Sequence, residues 1–121
     1  MTPSDSPPDP RRGEVWQIRF DPTKGAEVGK TRPAVVMNIP AVGRLPLRIV
    51  VPITGWKDHW ATTPWLIHLR PSSRNGLNKP SAADAFQAKS PSIDRFQKRL
   101  GELKADEVEQ IAAAICLCVG A

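Results

Sequence analysis

Hydrophobic and polar positions alternate most clearly near the start of the chain. Trp16, Ile18 and Phe20 interleave with Val15, Gln17 and Arg19, the period-two pattern of a half-buried strand, so a strand is expected over 14–20. Asp21-Pro22 closes it, and Gly25 and Gly29 mark a loop. A second strand is expected over 32–38. Its Pro33 keeps Arg32 in extended backbone, and the unbroken apolar run Ala34-Val35-Val36-Met37 predicts a central position. Further strands are expected over 47–54, 64–70 and 84–90. Pro52 has no N–H for a ladder, which predicts a strand end or a bulge there. Gly55 to Thr63 reads as a long loop, and Pro71 to Gly76 as a turn cluster. A short helical turn is expected around Ser92–Phe96. The clear helix is 105–118, where Val108, Ile111, Ala112, Ile115 and Val119 form one apolar stripe. Asp106 and Glu107 suit its first turn, and Leu103 can staple to Val108.

Five short strands and one terminal helix predict a mainly β fold: a small, strongly bent sheet or open barrel with the helix packed against it. Residues 1–11 hold four of the thirteen prolines and no apolar cluster, so they are expected to be a disordered tail. The remaining 12–121 form a single domain, as a chain of 121 residues allows. No signal peptide and no apolar run near the length of a membrane span is visible, so neither secretion nor membrane spanning is expected. Cys116 and Cys118 are the only cysteines. Two residues apart on a helix, they face different ways and cannot bridge each other or hold a metal. Their usage fits a reducing cytoplasm.

Charge changes the picture. The formal net charge is +5, and between Lys24 and Lys89 there are ten Lys/Arg against three acids, Glu27, Asp58 and Asp84. A basic middle points to a polyanion, nucleic acid first, or else to a solvated basic surface. The sharpest local feature is Arg32 at the mouth of a strand, beside a loop carrying Lys24, Glu27 and Lys30. Its planar fork matches two phosphate oxygens; alternatively it forms an ion pair with Glu14 or Glu27 that merely holds the loop.

Three motifs, in order along the chain, carry a resemblance to a family. They are Gly13-Glu14-Val15-Trp16 with Phe20-Asp21-Pro22-Thr23, Gly25, Glu27 and Arg32-Pro33-Ala34-Val35-Val36; Val51-Pro52-Ile53-Thr54; and Gln87 with Ser92-Ile93-Asp94-Arg95 and Arg99-Leu100-Gly101. Over about residues 12–118 the chain resembles the MazF/PemK family of toxin endoribonucleases. The resemblance implies an SH3-like, CcdB-type barrel with appended helix, working as a homodimer. It implies metal-independent, cofactor-free cleavage of single-stranded RNA at a short sequence, and neutralisation by an antitoxin whose acidic, disordered segment covers the RNA groove. A gyrase-poisoning toxin that cuts nothing, and an SH3-like RNA-binding module without catalysis, are the alternatives.

On that resemblance Arg32 and Thr54 are the expected catalytic pair, with Glu27 as acceptor of the 2′-hydroxyl proton or as a loop residue neutralising its basic neighbours. Arg48, Val50, Pro52 and Thr54 share strand parity, which sets Thr54 at the end of one face. Lys24, Lys30, Arg48, Lys79 and Lys89 are candidate phosphate contacts. Trp56 and Trp60 either stack unpaired bases or pack at an edge. His59 is a candidate base or catalytic contact, since imidazole titrates near neutrality. His68, inside a strand, reads as a core or surface residue. Gln87 can read a base edge through its amide. The family often has an acid directly before that glutamine. Here Phe86 stands there and the nearest acid is Asp84, so any role for that acid is lost or passes to Glu27. Sequence preference is expected to lie in loops 21–31 and 55–63.

Overall fold

Why a basic, proline-rich chain should form one sheet is answered by where its apolar positions fall. The computed structural model describes residues 8–20 and 30–121. Among these, the strands are β1 (Glu14–Arg19), β2 (Thr31–Val36), β3 (Val50–Gly55), β4 (Leu66–Leu69), β5 (Ser81–Asp84) and β6 (Phe96–Glu102), followed by helix α1 (Ala105–Val119). They form one antiparallel sheet in the order β4-β5-β3-β2-β1-β6. The apolar run of β2 lies between β1 and β3, as its continuous hydrophobicity predicts.

Alternation gives the sheet two apolar faces. Val15, Val35, Val51, Ile53 and Ala83 pack on one face with Leu69, Leu103, Val108 and Ile111, which brings α1 onto it. Ile18, Ala34, Val36 and Val50 pack on the other with Phe96, Trp16 and Phe20. Helix α1 buries Val108, Ile111 and Ala114, whereas Val119 is exposed. Its first turn is closed by the Lys104 N–H donating to Glu107 Oε1 at 2.9 Å. No helix among the described residues is long and apolar enough to cross a membrane.

Two expected strands differ, and one strand is not among those expected. The strand expected over 84–90 is instead Ser81–Asp84, followed by a 3₁₀ turn at Ala85–Gln87. Only Lys89 returns to pair, through an isolated bridge to Val50. Small Ser81, Ala82 and Ala83 carry little strand propensity, so their run is weak in sequence. Regular pairing in the third strand starts at Val50 rather than 47. Strand β6 is absent from the sequence pattern because register shifts along its pairing with β1 disrupt alternation. As an edge strand it exposes Gln97, Lys98 and Arg99, which blunts edge-to-edge pairing.

Residues 1–7 of the expected tail lie outside the described residues. The rest of it packs on the domain. Pro10 is buried, the Arg11 N–H donates to Glu14 Oε1 at 2.9 Å, and Arg12 donates to the Met37 carbonyl.

Pro52 lies inside β3, at a break in that strand's outer partner. Val50 exchanges backbone hydrogen bonds with Lys89, while pairing with β5 begins at Ile53. Backbone groups alternate sides along a strand, so Pro52 turns its missing N–H to the side of that break, where no ladder bond is lost.

Candidate functional site

The β2–β3 ladder runs through Val36–Val50, Val35–Val51 and Ala34–Pro52, and its last pair is that one. Pro33 explains the stop, because it has no N–H to offer β3. Carried two residues further, the same register sets Arg32 opposite Thr54, on the face shared by Ala34 and Pro52. At this end of the sheet lies an open cavity of about 440 Å³ whose lining includes Arg32, Pro33, Ile53 and Thr54. Residues of both strand parities line it, which places it where the sheet ends.

Arg32 and Thr54 are both half-buried. Among the described residues, no hydrogen bond or ion pair engages the Arg32 guanidinium. The ion pair with Glu14 is not formed. That carboxylate accepts from the Trp16 indole at 2.9 Å and from Arg99 Nε at 3.1 Å. Glu27 and Lys24 lie outside the described residues.

Gln17, Asn78 and Lys79 also line the cavity. The Lys79 side chain lies over Gly55, its Nζ 3.5 Å from where a Cβ at that position would stand, an ordinary contact distance. The loop carrying Asn78 and Lys79 is held from beneath. Buried Asn75 donates to the Arg70 carbonyl at 2.8 Å and accepts from the Ser72 and Leu77 N–H groups at 3.0 Å each. The Ser81 hydroxyl donates to the Lys79 carbonyl at 2.8 Å. Gly76 and Gly101 let this loop lie directly on β6: a Cβ at Gly101 would fall 2.2 Å from the Arg74 carbonyl oxygen.

Other expected contacts are distributed differently. Arg48 is a correction. Its residue is 6% exposed, and its guanidinium donates to Pro10 O at 2.9 Å, Leu45 O at 2.7 Å, Leu47 O at 2.8 Å and Asp9 Oδ1 at 3.2 Å. It clamps the N-terminal segment to the β2–β3 connection and has no fork left for a phosphate. Trp56 is a second correction as an open platform, since His68 stacks on it at 4.2 Å and 21° while Trp60 meets it edge-on at 6.3 Å. His59 is exposed in the 3₁₀ turn Asp58–Thr62, tilted against Trp60 at 5.8 Å. Lys30 and Gln87 are exposed. The Lys89 ammonium lies 5.2 Å over the Phe20 ring. Phe86 is exposed and meets Trp65 at 5.9 Å. One carboxylate oxygen of Asp84 is buried without a hydrogen-bond partner. Among the described residues, no three His, Cys, Asp or Glu side chains group as metal ligands do.

A six-stranded antiparallel sheet with one terminal helix, and an arginine and an alcohol lining one cavity at an open strand end, define a small β domain with a candidate anion site. The model of the PemK-like, MazF-like toxins of type II toxin–antitoxin systems matches residues 11–119, and the chain belongs to that family. It is 31% identical to endoribonuclease MazF9 of Mycobacterium tuberculosis over 113 residues, covering 88% of this chain and 93% of that protein. The fold is that of MazF from Deinococcus radiodurans (TM-score 0.73, 24% identity, 93% of this chain and 97% of that one). It is also that of a mycobacterial endoribonuclease solved in complex with its cognate antitoxin (TM-score 0.71, 19% identity, 93% and 96% covered).

Proposed function

We propose that this chain is a toxin endoribonuclease that cleaves single-stranded RNA at a short sequence, without a metal, and is held inactive by a cognate antitoxin. The observation that supports the reading is that Arg32 and Thr54 line one cavity where the β2–β3 ladder ends. In the reaction the 2′-oxygen forms a bond to phosphorus, the bond from phosphorus to the 5′-oxygen breaks, and a 2′,3′-cyclic phosphate and a 5′-hydroxyl result. The 2′-hydroxyl proton passes to a base, for which Glu27 is the candidate, and the leaving oxygen gains one. The Arg32 fork binds two phosphate oxygens and holds the charge that grows on the phosphorane. The Thr54 hydroxyl donates to the same phosphate or to the leaving oxygen. Lys79, reaching the same cavity, adds positive charge.

The antitoxin is a protein with an acidic, disordered segment that competes with RNA for this basic end of the sheet. Two copies form the working unit. Ile39, Leu45, Leu47 and Ile49 are exposed on the β2–β3 connection, which supplies apolar surface for such an interface. The toxin acts in the cytoplasm, where its substrate is.

The test is digestion of a long RNA by purified protein in excess EDTA, with the new 5′ ends mapped. Cleavage at a recurring short sequence, leaving 5′-hydroxyl ends and abolished by 2′-deoxy substitution at the cut, is expected. RNA bound but left intact would make the chain a binding module instead.

A further inference from the structure

Strand register puts one aromatic feature on the face that carries the Arg32–Thr54 pair. Ile18 opposes Arg32, Thr54 opposes Ala82, and Ala82 opposes His68. Directly opposed residues share a face, so Thr54 and His68 belong to one cross-sheet row, and the β2–β3 register carried on from Ala34–Pro52 sets Arg32 in line with it. His68 is two strand spacings from Thr54, about 10 Å. Trp56 has the same parity as Thr54 and follows it by two residues. Its indole lies flat against the His68 imidazole, with ring centroids 4.2 Å apart and planes 21° from parallel.

That stack decides which ring meets a ligand. His68 closes one face of Trp56, and Trp60 abuts Trp56 edge-on. His68 itself is exposed. Its inner face lies on the indole, so the exposed surface is the outer face and rim of the imidazole. Among the described residues no hydrogen bond engages the imidazole. The indole behind it holds the ring's orientation without using a polar atom. β4 is an edge strand, so nothing of the sheet overhangs this position.

We propose that His68, backed by Trp56, is a stacking platform for a nucleobase next to the scissile phosphate. The inference rests on the ribonuclease reading and adds a base-holding residue to it. A nucleotide whose phosphate lies between Arg32 and Thr54 spans the distance to His68 with its sugar and base. The base then becomes the third ring of a base–imidazole–indole pile. Every base offers a π-face, so the platform selects an unstacked single strand and fixes its register rather than reading base identity. The shared row also couples the two functions. A base seated on His68 holds its phosphate over the arginine and the alcohol, whereas a duplex, whose bases are stacked on one another, has none to seat.

The experiment uses the mapped cut sequence as an oligonucleotide with a 2′-deoxy residue at the cut, and with 2-aminopurine placed in turn on either side of it. The wild-type protein should quench one of the two probes on binding. His68→Ala should weaken binding about 10-fold and abolish that quench, whereas His68→Phe, which keeps a flat ring, should stay within about threefold of wild type and retain it. Removing the base at the quenched position should weaken wild type to the level of His68→Ala and leave His68→Ala unchanged. Thermal melts of both variants confirm that the domain is folded. Wild-type affinity and quench in a folded His68→Ala protein would overturn the platform, as would a His68→Phe protein as weak as His68→Ala. A wild-type protein that cleaves RNA while these outcomes occur loses only the platform; one that neither cleaves nor binds RNA removes the ribonuclease reading as well.

Discussion

Arg48 separates a phosphate contact from an internal clamp, and the two roles predict opposite results. Its guanidinium makes four hydrogen bonds, three to the carbonyls of Pro10, Leu45 and Leu47 and one to Asp9. The Asp9 side chain is 64% exposed, so its ion pair is screened and contributes little. The three carbonyl bonds contribute about 1 kcal/mol each. Arg48→Met keeps the apolar stem and loses all of them, so a destabilisation of about 3 kcal/mol is expected, a large part of the stability of a small domain. With a urea dependence of about 1.5 kcal/mol per molar, the unfolding midpoint should fall by about 2 M. Tryptophan fluorescence in a urea titration reads it directly. Arg48→Lys is the discriminating variant. A lysine keeps the charge that a phosphate contact needs, but its single ammonium cannot span acceptors arranged around a planar fork. It should be destabilised nearly as much as Arg48→Met, while the folded protein cleaves RNA at close to the wild-type rate. A midpoint unchanged in both variants, with RNA binding lost in Arg48→Met and kept in Arg48→Lys, would refute the clamp.

Three further outcomes are expected. Arg32→Ala should lose about 100-fold or more in the single-turnover cleavage rate, on the order of 3 kcal/mol of transition-state stabilisation; near-normal turnover by the folded variant would remove Arg32 from the mechanism. Thr54→Val keeps the shape and β-branching but removes the hydroxyl, so the cleavage rate should drop by about 10-fold or more with the melting temperature held within a few degrees; equal rates would reduce Thr54 to a strand residue. Gly101→Ala forces a methyl group into the Arg74 carbonyl oxygen, 2.2 Å away, and should lower stability by about 3 kcal/mol as the loop and β6 separate; an unchanged melt would show that the loop gives way freely.

Much of this molecule is written in local pattern, and what is hidden has physical causes. Strands β1 and β2 and helix α1 are visible because each buries a face at its own period. Strand β6 is hidden because its pairing is bulged and it lies at an edge, so charge occupies Lys98 and Arg99 where alternation would place apolar groups. β5 is hidden because Ser81, Ala82 and Ala83 are small enough to fit between neighbours without declaring strand propensity. Among candidate site residues, Arg32 is marked by the proline beside it and Thr54 by the Val51-Pro52-Ile53-Thr54 motif that carries the family resemblance. Arg48 looks the same as any basic residue in sequence. Its fate depends on Asp9 and Pro10, 39 and 38 residues away, and no local pattern encodes that distance. The same applies to His68, whose surroundings come from a loop residue and two neighbouring strands.

The prolines connect these observations. A sheet closes the gap between neighbouring strands by exchanging N–H and C=O groups, and a residue with no N–H leaves an acceptor across from it unmet. Inside a ladder that would be a defect. Pro52 avoids it by turning toward the break between Lys89 and β5. Pro33 does the opposite and ends the β2–β3 ladder at Ala34, two residues from Arg32. Beyond the Ala34–Pro52 pair Arg32 and Thr54 line one cavity, and no β2–β3 pairing fills the space between the strands. A guanidinium with no partner among the described residues and a hydroxyl are thereby left at the rim of one open cavity. An anion with several oxygens can accept hydrogen bonds there from the guanidinium and the hydroxyl. On the proposed reading, the ladder end that makes a poor strand pair is what opens the place for a phosphate.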